Sequence, residues 1–242
     1  MQILKAVKVK KSFGGLTAVD SVDFDVNKGE IIGLIGPNGA GKTTFFNLIS
    51  GAIPLDSGTI VFDGMKISGR KPHEICRRGI GRTFQAAKNF PGMSVRENAE
   101  MGALFGKKGR THKQAEQEVD GILEFVGLME FRDRHIPDLT LAFQKRVEVA
   151  RALATKPKLL MLDEMMAGLN PTEVEEAMGL VKKIRDSGIT VIMIEHVMRA
   201  IMNICDRIVA LHHGAKIASG TPEEISTNSA VIEVYLGKSA GS

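Results

Sequence analysis

Three short runs of this 242-residue chain are apolar almost without a break: IIGLIG (Ile31–Gly36), LLMLDE (Leu159–Glu164) and ITVIMIEH (Ile189–His196). Runs of that length and character are expected of strands buried on both faces of a parallel sheet. TEVEEAMGLVKKIRDSG (Thr172–Gly188) lies between the second and third runs; its apolar residues recur at helical spacing and it ends at a glycine,. KQAEQEVDGILEFVGL (Lys113–Leu128) and VEVARALA (Val147–Ala154) share that period, and a helix is expected from Lys42 to about Ser50,. GTIVFDGMKI, turning at Asp63–Gly64, and IVALHHGAKIASGTP near the end read as hairpins, and VDFDVNKGEIIGLIG as two strands around a turn at Asn27–Gly29,. From about Pro72 to Leu153 the pattern is mostly helical. Alternating strand and helix predicts an α/β fold: a mostly parallel core sheet with helices on its faces, plus an antiparallel β portion. The helical stretch, about 86–153, is long enough to form a subdomain inside one domain covering 1–242.

The chemistry sits at the ends of the apolar runs. Gly36–Thr44 reads GPNGAGKTT, between a predicted buried strand and a predicted helix, the context a phosphate-binding loop requires,. Gly36, Asn38, Gly39, Ala40 and Gly41 form the loop whose backbone N–H groups can cradle phosphate oxygens, helped by the helix N-terminus. Lys42 can reach the β- and γ-phosphates, Thr43 can ligate Mg²⁺, and Thr44 completes the motif. This points to ATP or another nucleoside triphosphate without choosing between transport, kinase, GTPase and motor. LLMLDE ends in two carboxylates whose side chains alternate faces. Asp163 suits a role in holding Mg²⁺, and Glu164 suits polarisation of an attacking water. His196 follows the third run, and strand C-termini of a parallel sheet face one crevice, so it is expected near the phosphates.

Composition narrows the class. Apolar residues at 43% and charged residues at 25% are ordinary for a soluble globular protein,. The net charge of +4 is scattered along the chain and does not form the concentrated patch of a nucleic-acid binder,. Cys76 and Cys205 provide no disulfide framework and suggest a reducing compartment,. The N-terminus is not a signal peptide, and no apolar run reaches the roughly 18 residues of a membrane span. The chain by itself reads as cytosolic.

Taken together, these motifs resemble the ATP-binding subunits of ABC transporters along essentially the whole chain. The resemblance implies the P-loop NTPase ABC cassette fold, ATPase activity, and ATP with Mg²⁺ as cofactors. It makes Gly36–Thr44 the Walker A segment, Asp163 the Walker B aspartate, Glu164 the catalytic glutamate and His196 the switch histidine. Gln85, in GRTFQ, matches the glutamine that touches Mg²⁺ and the attacking water. Phe13 matches the aromatic that stacks on adenine, and Ala167–Asn170 the D-loop. FGGLTAV, GRTFQ, FPGMSVREN, AGLNPTE and GTPEEI…VIEVYLG together look like importers of branched-chain, or more broadly hydrophobic, amino acids. Urea and amide importers share much of that pattern. A soluble ABC ATPase acting on nucleic acid or ribosomes is less favoured, because the chain has one P-loop and no sustained heptads. The subfamily implies a second, different ATP-binding subunit, two membrane subunits, a substrate-binding protein, no nucleic acid, and a place on the cytoplasmic face of the membrane. Leu139–Phe143 (LTLAF) occupies the signature position, which in the family touches the γ-phosphate held by the partner subunit. Thr140 keeps a hydroxyl there, whereas Ala142 adds a methyl where glycine usually allows backbone to approach phosphate. Phe90 and Met93 are the apolar candidates for contact with a membrane subunit.

Overall fold

The computed structural model describes residues 1–84, 89–106 and 112–236. Two sheets organise it. The larger has six strands in the order β10-β9-β3-β8-β7-β6, formed by β3 (Ile31–Ile35), β6 (Ile80–Arg82), β7 (Leu159–Asp163), β8 (Thr190–Ile194), β9 (Arg207–His212) and β10 (Ala215–Gly220). All its pairings are parallel except β9 with β10. The smaller sheet is antiparallel, in the order β2-β1-β4-β5, from β1 (Gln2–Phe13), β2 (Leu16–Asn27), β4 (Ser57–Phe62) and β5 (Met65–Lys66).

The three apolar runs are the central strands β3, β7 and β8, and every residue in them is buried. Their side chains alternate between two cores. Ile31, Ile35, Leu160, Leu162, Val191 and Met193 face the core shared with the helices α3 (Val95–Gly106), α4 (His112–Val126), α5 (Leu141–Ala154), α6 (Pro171–Asp186) and α7 (Met198–Ile204). Ile32, Leu34, Leu159, Met161, Ile192 and Ile194 face the other core, closed by the antiparallel sheet and by α1 (Lys42–Ile49) through Phe45 and Phe46. Cys205 is buried behind β3: a Cβ on Gly33 would lie 3.0 Å from its Sγ, so it packs as a small side chain.

Both predicted hairpins form. Their two-residue turns, Asp63–Gly64 and His213–Gly214, have positive φ at both positions, the twist that tight hairpins favour,. Three features refine the sequence expectation. The two strands around the turn after Asn27 form as expected but lie in different sheets: β2 pairs with β1, and β3 enters the larger sheet. The stretch after Pro72 is not all helical: α2 (Pro72–Arg78) is followed by β6, which pairs with β7 at the sheet edge. Three residues are too few to display a strand period. The helix containing VEVARALA begins earlier than its apolar pattern, at Leu141, because Thr140 caps it.

Candidate active site

The phosphate loop leaves β3, which lies between β8 and β9, so the loop emerges beside the ends of both neighbours. Two glycines are required by space as well as by conformation. A Cβ on Gly36 (φ 151°) would lie 2.3 Å from the Leu211 carbonyl, and one on Gly41 (φ 97°) 2.2 Å from the Ala18 carbonyl. The loop is thus clamped between β9 and β2, and α1 starts at Gly41. Lys42 is buried, and its Nζ donates to the carbonyls of Gly36 (2.6 Å) and Pro37 (3.0 Å). Burial lowers its pKa, opposed by the charges of Glu164 and Asp163.

A cleft of about 460 Å³ opens over the loop. Phe13, Asn38, Gly39, Ala40, Gly41, Lys42, Thr43, Thr44 and Glu164 line it, joined by Leu16, Thr17, Ala18 and His213. Phe13 is half-exposed at the end of β1, with Lys11 Nζ 5.4 Å from its ring centroid. It is therefore a platform on the cleft wall and not part of a core.

Asp163 and Glu164 divide as strand alternation predicts. Asp163 is buried, and one of its oxygens takes an ion pair from Arg82 at 3.0 Å. Arg82 also donates to Asn47 (2.7 Å) and Ser50 (3.0 Å) of α1 and its following turn, and Thr83 Oγ1 accepts the Asp163 N–H at 3.1 Å. Burial raises the Asp163 carboxyl despite the guanidinium beside it, and depresses Arg82. The other carboxylate oxygen, Oδ1, is buried without a hydrogen-bond partner. A buried acceptor left open beside the phosphate loop is what a hydrated Mg²⁺ would satisfy, so Thr43 and Asp163 fit the expected metal role. Glu164 turns away from the strand in the left-handed region (φ 52°), a conformation a non-glycine residue holds only when its surroundings compel it,. Its N–H donates to Ile194 O at 2.9 Å, and its carbonyl accepts from Lys145 Nζ at 2.8 Å. Lys145 donates as well to Ala167 O at 2.7 Å, fastening α5 to the segment that follows β7. The Glu164 carboxylate meets His196, with Oε1 and Nε2 2.9 Å apart. This pair requires the Nε2–H tautomer to donate to the carboxylate.

Glu195, adjacent to His196, accepts the Met166 N–H at 2.8 Å from a buried position. Burial pushes its carboxyl from an ordinary 4.5 up to about 7. The folded chain then holds a proton there that the unfolded chain has released, so stability declines as pH rises from about 4.5 through about 7,. Glu195→Gln keeps the acceptor for Met166 and should flatten that part of the profile. Denaturant unfolding at intervals from about pH 5 to about pH 8 checks it; a variant with the wild-type slope would exclude Glu195 as the source.

The signature position lies apart from this cleft. Thr140 is exposed and caps α5, its Oγ1 accepting the Phe143 N–H over a long 3.5 Å. Leu141 is exposed, whereas Ala142 is buried by its own chain. Thr140 and Leu141 form the exposed face of the signature position. Phe143 packs on Phe131 with centroids 4.5 Å apart and under the Arg146 guanidinium. Gln85 lies outside the described residues. Arg82, Lys145, Glu195 and His213 were not singled out by sequence. Arg82, Lys145 and Glu195 are each tied to residues well along the chain, and His213 reaches the cleft only through the turn between β9 and β10, so no local pattern marks them.

An ABC transporter family model matches residues 19–167. The chain belongs to the ABC transporter ATP-binding family. It is an ATPase of the nucleotide-binding ABC cassette fold. A second model, of the branched-chain amino acid ATP-binding cassette transporter, matches 215–241, which includes β10 and both terminal helices. The cassette is 40% identical to the high-affinity branched-chain amino acid transport ATP-binding protein BraF of Pseudomonas aeruginosa, covering 98% of each chain. It is 38% identical to the lipopolysaccharide export system ATP-binding protein LptB of Escherichia coli, again over 98% of each. Among solved structures, the ADP conformation of an ABC transporter cassette superposes with a TM-score of 0.89 at 33% identity, covering 98% of this chain and 100% of that one. No helix among the described residues is long and apolar enough to cross a membrane.

Proposed function

We propose that this cassette hydrolyses MgATP on the cytoplasmic face of a membrane to drive import of branched-chain or other hydrophobic amino acids. The observation that carries the hydrolytic part is Glu164 on the wall of the phosphate-loop cleft, its carboxylate held by His196, together with the open oxygen of the adjacent Asp163. Bound MgATP supplies the phosphoryl group and the metal's Lewis acidity. The chain's part is to orient phosphates with Lys42 and the loop amides, hold the Glu164 carboxylate in line, and seat adenine on Phe13. Gln85 completes the set as the contact that senses the membrane subunit.

Neither Thr140 nor any described residue of α5 is among the residues that line the cleft. This supports a composite site shared with a second, different ATP-binding subunit, whose phosphates Thr140 and the α5 N-terminus would meet. Thr140→Ala should therefore lower turnover of the assembled complex about tenfold, the worth of one lost bond to a charged group. Nucleotide affinity of the isolated chain should stay unchanged. Ala142→Gly should bring little gain, since Ala142 is already buried within its own chain. Turnover with the opposite composite site disabled is the deciding measurement, and an unchanged rate for Thr140→Ala means that Leu139–Phe143 only starts a helix.

The segment 86–153 acts as a helical subdomain within the single domain, and two membrane subunits dock beside it. An apolar groove between α2, β6 and α5, lined by Ile75, Ile80, Phe84, Arg151 and Thr155 among others, supports this. Phe90 is exposed under the Arg151 guanidinium at the same place, while Met93 is half-buried. A substrate-binding protein delivers the amino acid from outside. The substrate class rests on the C-terminal match and the BraF likeness. The likeness to LptB supports a second reading, lipopolysaccharide export. Uptake of labelled leucine by cells lacking this chain, with and without a restoring copy, separates them. Loss and restoration of leucine uptake is expected; unchanged leucine uptake with a lipopolysaccharide defect would select the export reading, and lost urea uptake an amide importer.

A further inference from the structure

The phosphate loop is held from an unexpected direction. The N–H of Gly36, its first residue, donates to the hydroxyl of Tyr235 at 2.8 Å. Tyr235 lies on the C-terminal helix α9 (Ser229–Leu236), 199 positions away, beyond the short helix α8 (Pro222–Ser226). The carbonyl of the same glycine accepts from Lys42 Nζ. The two peptide groups flanking the Gly36 Cα are therefore bound on one side by the cation that serves the phosphates and on the other by a phenol from the end of the chain. Gly36 also has no room for a side chain, since a Cβ there would lie 2.3 Å from the Leu211 carbonyl. α9 is itself seated: Val231 is buried in the helical core and its N–H donates to Asn228 at 3.2 Å.

We infer that Tyr235 is a positioning residue of the nucleotide site, setting the Gly36 amide and so the register of the phosphate loop, and that α9 consequently responds to nucleotide. The inference rests on reading the cleft as a nucleotide site. A rigid loop presents its remaining amides already aimed, and an untethered one must be ordered by the ligand, which weakens binding. The coupling is reciprocal: what tightens the loop changes the surroundings of the phenol.

The chain carries its own reporter, since Tyr235 is its only tyrosine and it has no tryptophan. The full chain is titrated with MgADP and MgATP by calorimetry while tyrosine emission is recorded, alongside Tyr235→Phe, which keeps the ring and removes the hydroxyl. Carbonyl-¹³C isoleucine with ¹⁵N-glycine selects the amides of Gly33, Gly36 and Gly81, each of which follows an isoleucine. Three results are expected: wild-type emission shifts on saturation, Tyr235→Phe binds both nucleotides about 2- to 10-fold more weakly at unchanged Tm, and only the Gly36 resonance moves between the two proteins. A purely structural tyrosine would lower Tm and leave affinity alone. Equal affinities for wild type and Tyr235→Phe overturn the inference wherever the Gly36 resonance falls. Failure of the wild-type chain to bind either nucleotide would overturn the nucleotide reading, and this inference with it.

Discussion

Glu164→Gln is expected to lower ATP turnover of the assembled transporter about 10²- to 10⁴-fold, the range spanned by removal of a general base. ATP binding by the isolated chain should change little. Glutamine occupies the same volume and can still accept from His196, but an amide cannot take a proton from water. The substitution should not reshape the site, because the left-handed turn at this position is held through its backbone, by Ile194 O on one side and Lys145 on the other. Single-turnover hydrolysis together with equilibrium nucleotide binding separates the two effects. Retention of wild-type turnover would remove Glu164 from the chemistry and leave the Glu164–His196 pair as a strut.

Arg82→Met should be the most damaging single change to stability near the site. The side chains of Arg82 and Asp163 are 8% and 0% exposed, so removing the guanidinium leaves a buried carboxylate without its counter-charge. Breaking a buried pair from one side costs about 3–5 kcal/mol, which for a chain of this size is a fall in Tm of roughly 6–20 °C. Asn47 and Ser50 lose their partner at the same time. Adding Asp163→Asn removes the stranded charge and should recover much of the Tm while leaving the chain inactive. If the double variant is no more stable than Arg82→Met, the loss comes from packing and not from charge.

What the sequence determined by itself was local or periodic. Ile31–Ile35, Leu159–Asp163 and Thr190–Ile194 could be recognised as buried strands because both their faces are apolar, and that pattern survives without knowledge of any partner. The phosphate loop was legible for the same reason: glycine, lysine and threonine at fixed offsets build the site within nine consecutive residues. Parallel strands end on one side, so the convergence of Lys42, Asp163, Glu164 and His196 followed from topology. Tertiary structure alone decided the rest. β6 is three residues long and is a strand only because β7 offers it an edge. Whether Phe13 was core or platform, and whether Ala142 was buried or exposed, depended on which neighbours cover each position, and an isolated side chain carries no mark of that. Arg82 on Asp163, Lys145 on the Glu164 carbonyl and Tyr235 on the Gly36 amide span 81, 19 and 199 positions. Such contacts form where partial or full burial withdraws water from a polar group, and the partner it then finds is whatever the fold has carried within reach.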